Sequence, residues 1–179
     1  MEDNEFSVKE FEVLGSTQDF AKNLREANPW TVILAKEQTQ GRGRKGNEWY
    51  SPKGGLYFSV ILPKTKIENL EILTYLSAFC VAKVIFEKLG LKVFIKFPND
   101  IYFQGKKMGG ILVENQISSS GKVLRTILGI GLSTNIQVFP QSLQKKVTSL
   151  FLELKKPVNN EELFWGILKE LKNLFSALV

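Results

Sequence analysis

The 179-residue chain contains no histidine. That absence excludes Ser-His-Asp and Cys-His nucleophile activation, the HExxH zinc motif and histidine proton shuttles. A single cysteine, Cys80, cannot close an internal disulfide, and without histidine it leaves no ligand set for a conventional zinc site. A lone thiol suits a reducing compartment, so a cytoplasmic protein is expected. Long apolar runs are missing as well: no stretch approaches the ~18 consecutive apolar residues of a membrane span. Met1 to Glu10 is mixed and acidic, without the basic-then-apolar order of a secretory signal. Repeats, linkers and low-complexity segments are lacking too. With soft ligands excluded, any catalytic metal should be Mg²⁺ held by oxygens beside a phosphate. Proton transfer falls to Asp, Glu, Lys or Tyr.

What is present is an ordinary globular composition, 44% hydrophobic and 23% charged, in one domain's length. The net charge of +6 is unevenly placed. Lys36 to Lys66 holds seven basic and two acidic residues, and Lys92 to Lys107 holds four and one. The rest of the chain is slightly acidic. Positive charge gathered around two short segments points to an anionic ligand; a solvated lysine-rich surface is the plain alternative.

Hydrophobic spacing predicts strands at Phe6 to Leu14, Thr31 to Ala35 and Leu56 to Leu62, the first with a mid-strand slip that suggests a bend or bulge. Ser16-Thr17 opens a helix with Asp19 in capping-box position, carrying Phe20, Leu24 and Ala27 on one face until Asn28-Pro29. Gln38 to Gly55 reads as a long loop. Ile67 to Leu89 reads as a helix whose packed positions are Ile72, Leu76, Phe79, Cys80, Lys83 and Phe86, stopped by Gly90. A strand at Lys92 to Phe97, a Pro98-Asn99-Asp100 turn and Ile101 to Phe103 follow, then a hairpin of Lys107 to Asn115 with Val123 to Ile130. A short helix is expected at Gln141 to Leu150. Asn159 or Asn160 caps a last helix with Leu163, Phe164, Ile167, Leu168, Leu171, Leu174 and Phe175 on its core face. The class is α+β, a mixed or antiparallel sheet with helices packed on one face.

Three segments could carry chemistry. Gly41-Arg42-Gly43-Arg44-Lys45-Gly46 frees the backbone for close approach and supplies two guanidinium forks for carboxylate or phosphate. It is no Walker A loop; a mobile surface loop or an RGG-like nucleic-acid contact remain alternatives. Lys96-Phe97-Pro98-Asn99-Asp100 presents Asn and Asp from a turn, or is only a hairpin turn. Lys106-Lys107-Met108-Gly109-Gly110 lets a strand edge approach a ligand, or is a turn and an ordinary strand. Gly129-Ile130-Gly131 is a weaker signal, and Cys80 reads as a core residue.

Ser16-Thr17-Gln18, the Gly41 to Gly46 loop with Trp49, Lys96 to Asp100, Lys107 to Glu114 and Gly129 to Gly131, in that order, resemble the catalytic domain of biotin–protein ligases, also called biotin–[acetyl-CoA-carboxylase] ligases. The resemblance runs from about residue 12 to about residue 135. It implies the family's chemistry: biotin and ATP give biotinyl-5′-adenylate and pyrophosphate, and the biotinyl group then passes to a lysine of a biotin carboxyl carrier protein. By position, Ser16, Thr17, Gln38 and Gly41 contact the biotin head, with Gly110 and Leu112 lining its slot. Arg42 and Arg44 bind the biotin carboxylate and the ATP phosphates. Lys107 holds the carboxylate and the charge at the α-phosphate. Trp49 packs near the adenine. Lys96, Asn99 and Asn135 support the nucleotide, with Mg²⁺ on its phosphates near Asn99. Asp100 is the base for the acceptor lysine.

The sequence departs from the family at several points. Phe97 stands where Trp is usual, Lys45 replaces a third arginine, and Asn47 stands where some members place another. Ser133 occupies a usual Asn position, with Asn135 two residues on as a substitute. The expectation is a single catalytic domain over residues 1–179, without the N-terminal DNA-binding domain or C-terminal barrel of some members, and so no DNA partner. An exposed edge strand offers a route to a homodimer or to carrier docking.

Overall fold

The computed structural model describes residues 5–64, 67 and 69–178. The chain order is β1 (Ser7–Leu14), α1 (Thr17–Asn23), β2 (Thr31–Gln38), β3 (Leu56–Leu62), α2 (Leu70–Leu89), β4 (Phe94–Lys96), β5 (Asp100–Phe103), β6 (Lys106–Ile117), β7 (Val123–Leu132), α3 (Leu150–Leu154) and α4 (Asn160–Ser176). The strands make one seven-stranded sheet in the order β1-β2-β3-β7-β6-β5-β4. β1 and β2 are parallel, which the crossover through α1 allows; the other neighbouring pairs are antiparallel. This is the expected α+β class with a mixed sheet.

Strand residues alternate between two faces. Val32, Phe58, Val60, Leu128 and Ile130 meet Leu73, Val81 and Val84 of α2 and Ile167, Leu168 and Leu171 of α4 in the main core. Phe58 and Phe164 pack edge to face at 5.1 Å. Their strand neighbours Ile33, Ile61 and Ile127 point the other way and meet Ala21 of α1. The two long helices therefore share one face as expected, but the short α1 lies on the other, which corrects the expectation of helices on one face only. Covered on both sides, β3 buries every residue, which is why its sequence runs apolar almost without a break.

Several predicted details change. β1 keeps one register from Ser7 opposite Thr31 to Leu14 opposite Gln38. The slip in its pattern arises because Phe6 and Val8 pack on the main core while Phe11 packs on the α1 side. α1 ends at Asn23, with Leu24 extended, although Leu24 and Ala27 still pack on the α1 cluster. α2 starts at Leu70, capped by Asn69, and stops at Gly90 with φ of 69°; Glu68 of its predicted first turn lies outside the described residues. Its packed face is Leu73, Ser77, Cys80, Val81, Val84 and Ile85, while the predicted positions Ile72, Phe79 and Phe86 are exposed. Residues 141–146 are turns instead of a helix; the helix begins at Leu150, capped by Ser149. The segment is diverted because its backbone pairs with Lys107, whose N–H donates to Lys146 O and whose carbonyl accepts from Thr148 N, both at 2.9 Å.

Candidate active site

The α1 face of the sheet holds a cleft of about 250 Å³. Its floor comes from missing side chains. Ser59, Gly129 and Leu112 form one cross-strand row, and Gly131, Gly110 and Asp100 form another. A Cβ on Gly129 would lie 2.6 Å from Gln18 Oε1, and one on Gly131 would lie 2.4 Å from Trp49 Nε1. The glycines thus leave room for a glutamine and an indole to lie on the strands.

One end of the cleft is a fixed hydrogen-bonding array. Ser16 caps α1 by accepting from Asp19 N at 3.3 Å. That turn aims Thr17 inward, where its N–H and hydroxyl both donate to Gln38 Oε1, at 2.8 and 3.0 Å. Thr17 Oγ1 also lies 2.9 Å from Ser59 Oγ, and Ser59 donates to Gln18 Oε1 at 3.0 Å. Gln18 Nε2 donates onward to Glu114 at 3.1 Å.

The basic loop is a compact hairpin over this end. Gly43 N donates to Asn47 O at 2.7 Å and Trp49 N to Gly41 O at 2.8 Å, with Lys45 at φ 56° and Gly46 at φ 76°. A Cβ at Gly41 would lie 2.5 Å from Trp49 O, so that position needs glycine. Arg42 grips Asp19 through Nε at 3.0 Å and Nη2 at 2.7 Å, and Nη2 reaches Glu114 at 3.1 Å. Burial works against its charge, but the hydrogen bond to Asp19 and the charge of Glu114 outweigh this and raise its pKa. Asp19 therefore spends its carboxylate on Arg42, not on closing a capping box. Arg44 donates to Asn99 Oδ1 at 3.1 Å and pairs with Glu71 of α2 at 3.4 Å.

At the other end, Lys107 Nζ sits 2.7 Å from Asp100 Oδ1 and 5.1 Å from the Trp49 ring centroid. Asn99 Nδ2 also donates to Asp100, at 2.8 Å. The Trp49 indole N–H is buried against Gly131 without a hydrogen-bond partner. Asn99 Oδ1 already accepts from Arg44, and Asp100 Oδ1 is engaged by Lys107 and Asn99, which leaves Asp100 Oδ2 as the oxygen free at this end; a Mg²⁺ here would keep mainly phosphate and water ligands. Among the described residues no group of three acidic or cysteine side chains could cage a metal. Burial pushes the Cys80 pKa up to about 11, so it is a thiol at neutral pH and far from this chemistry.

The cleft gathers Ser16, Thr17, Gln38, Arg42 and Arg44 with Trp49, Asn99, Asp100, Lys107, Gly110 and Leu112. Three of the sequence's candidates do not line it. Gly41 is buried in the loop base. Lys96 stacks over Tyr102 at 5.5 Å on the β4–β5 hairpin. Asn135 is a correction: its amide is consumed by Val158, donating to the carbonyl at 2.9 Å and accepting from the N–H at 2.8 Å, so it ties β7 to the start of α4. Sequence reasoning assigned no role to Gln18, Ser59 or Glu114. Ser59 had a signal, being the only aliphatic hydroxyl in the apolar run Leu56 to Leu62.

Residues 10–133 match the model of the biotin/lipoate A/B protein ligase family. The bifunctional ligase/repressor BirA of Bacillus subtilis (strain 168) is 41% identical over 145 residues, covering 78% of this chain and 44% of that protein. The biotin protein ligase of Aquifex aeolicus, solved with biotin and ATP, superposes with a TM-score of 0.86 at 31% identity, covering 95% of this chain and 70% of that one. The Leishmania major enzyme, solved with biotinyl-5-AMP, superposes with a TM-score of 0.79 at 29% identity, covering 97% of this chain and 76% of that one. The chain spans about half the length of the curated relatives it matches. By the family model and these relatives together, it belongs to the biotin/lipoate A/B protein ligase family.

Proposed function

We propose that this chain activates biotin with ATP to biotinyl-5′-adenylate and transfers the biotinyl group to a lysine of a biotin carboxyl carrier protein, such as an acetyl-CoA carboxylase subunit. The observation that carries this reading is one cleft that joins a fixed donor–acceptor array at Thr17 and Gln38 to a cationic end at Lys107 and Arg44. The first end suits a cyclic urea such as the biotin head, and the second suits a carboxylate meeting a phosphate. The ligands of the Aquifex and Leishmania relatives are the substrates and the intermediate of the same two-step reaction.

In the first step a carboxylate oxygen of biotin bonds to the α-phosphorus and pyrophosphate leaves. Two anions must meet, so fixed cations do most of the work; a unit pair about 4 Å apart interacts by about 4 kcal/mol at an effective dielectric of about 20. Lys107 sits on the carboxylate and α-phosphate, and Arg42 and Arg44 bring the loop over them. Trp49 supplies a flat surface to the nucleotide. Mg²⁺ held mainly by phosphate oxygens near Asn99 would offset phosphate charge. In the second step the amine nitrogen bonds to the acyl carbon, AMP leaves, and Asp100 takes the amine proton. No enzyme nucleophile is required, in keeping with the missing histidine and the inert Cys80. The basic loop lying over the cleft would keep water from the mixed anhydride.

Biotin-dependent exchange of labelled pyrophosphate into ATP tests the first step, with lipoate and octanoate in parallel. Exchange with biotin alone is expected. Exchange only with lipoate or octanoate would move the chain to the lipoate branch of its family, and none at all would refute adenylation.

A further inference from the structure

One carboxylate oxygen joins the floor of the cleft to the basic loop. Glu114 Oε2 accepts from Gln18 Nε2 and from Arg42 Nη2, each at 3.1 Å, and Lys22 lies 3.9 Å from the other oxygen. Arg42 also has Asp19 to hold it. Gln18 is buried, and its link to Glu114 has a consequence for Thr17.

Hydrogens on the floor run in one direction. Gln18 Nε2 faces two groups that only accept, the Glu114 carboxylate and Ile127 O at 3.3 Å. The amide is therefore kept from turning over, and its Oε1 is held toward Ser59. An amide oxygen carries no hydrogen, so Ser59 spends its only one there, at 3.0 Å. Ser59 has none left for Thr17, whose Oγ1 lies 2.9 Å away.

On its other side the Thr17 hydroxyl meets Gln38 Oε1 at 3.0 Å. That amide is fixed as well. Gln38 Nε2 donates to Ser51 Oγ, and Ser51 commits its own hydrogen to Trp49 O, both at 2.9 Å. Both neighbours of the Thr17 hydroxyl are thus acceptors. Its hydrogen is kept inside the protein, and only lone pairs remain for a ligand. Thr17, Gln18 and Ser59 are all buried, where an unmatched polar contact is costly.

We propose that Glu114 and Ser59 are positioning residues that set the specificity of this end. Glu114 orients the Gln18 amide, Gln18 orients the Ser59 hydroxyl, and the relay makes Thr17 an obligate acceptor. It selects a ring that brings an N–H to Thr17, as a cyclic urea does; a dithiolane ring such as that of lipoate has none to offer. The proposal rests on the ligase reading above and assigns the choice between the two branches of the family to residues that act through Thr17.

Biotin affinity is measured by calorimetry without ATP, and the KM values for biotin and ATP by pyrophosphate exchange. Ser59→Ala and Glu114→Gln are each expected to raise the Kd for biotin at least about fivefold. The loss should fall on the biotin KM, not on the ATP KM. Both act through Gln18, so the double variant should bind within about twofold of the weaker single one. Asp19→Asn loosens the same arginine and spares the relay, so it should weaken biotin less than Glu114→Gln does. Unchanged biotin affinity in Ser59→Ala overturns the proposal by itself. Losses that multiply in the double variant also overturn it, as does an Asp19→Asn loss equal to that of Glu114→Gln, which would route the effect through Arg42. A parent chain that neither binds biotin nor catalyses exchange overturns the ligase reading, and the relay's selectivity falls with it.

Discussion

Lys107 is held in two independent ways. Its backbone is clamped by Lys146 and Thr148, and its ammonium lies between Asp100 and the Trp49 ring. A charge so fixed would need little reorganisation to meet the carboxylate and phosphate of the proposed reaction. Lys107→Ala is expected to slow biotin-dependent exchange by about 10²-fold or more, by analogy with loss of a preorganised donor; near-parental exchange would remove Lys107 from the chemistry. Arg42 is likewise oriented, by Asp19 and Glu114. The structure brings Lys107, Arg42, Arg44 and Asp100 to one cleft, and all four stand out in the sequence because short glycine- and proline-marked motifs carry them. Glu114 was not legible, since its partner Gln18 is 96 residues away, and Ser59 showed only as a hydroxyl in an apolar run, its partners Thr17 and Gln18 lying far along the chain. Asn135 misled because a polar residue after a glycine-rich strand looks the same whether it faces the cleft or, as here, ties down α4.

At the level of elements, the floor of the cleft is a strand property. Gly129 and Gly131 relieve no turn; both lie in β7 opposite β3 and β6, and they admit Gln18 and Trp49. Gly131→Ala places a methyl 2.4 Å from Trp49 Nε1, so the indole must leave its seat. A red shift of tryptophan fluorescence and a raised KM for ATP are expected, with the biotin KM little changed; an unmoved emission spectrum would contradict the packing. The α2 face was misread for a simple reason. Periodicity finds apolar residues at helical spacing but cannot say which of two apolar stripes meets the sheet. The inner stripe uses smaller residues, Ser77, Ala78, Val81 and Val84, which let the helix approach the sheet and α4 closely. The segment 141–150 failed as a helix because pairing with Lys107 satisfied its backbone in another way.

For the whole molecule, one face of the sheet provides stability and the other provides the site. α2 and α4 bury most of the core, whereas α1 covers only part of the opposite face and leaves the cleft open. Leu168 is fully buried where α4 meets the main core. Leu168→Ala should therefore cost about 2–5 kcal/mol. In urea it should lower the midpoint of a single transition seen alike by fluorescence and circular dichroism. A loss under about 1 kcal/mol would mean that α4 contributes little to the cooperative core. Among the described residues no helix is long and apolar enough to cross a membrane.

The sequence by itself determined most of the elements, because propensity, capping and spacing act within a few residues: Ser16 and Asn159 cap their helices and Gly90 ends α2, whereas the helix expected over 141–150 gave way to tertiary pairing. It also determined the chemistry on offer, by withholding histidine and by gathering arginine and lysine at glycine-rich turns. Only the tertiary structure decided which residues meet. Strand order sets Ser59 beside Gly129 and Leu112, and Asp100 beside Gly110, across long stretches of chain. The same assembly decided which side of α2 stays exposed. Those outcomes depend on the balance of burial over the whole sheet, and no local pattern encodes that balance.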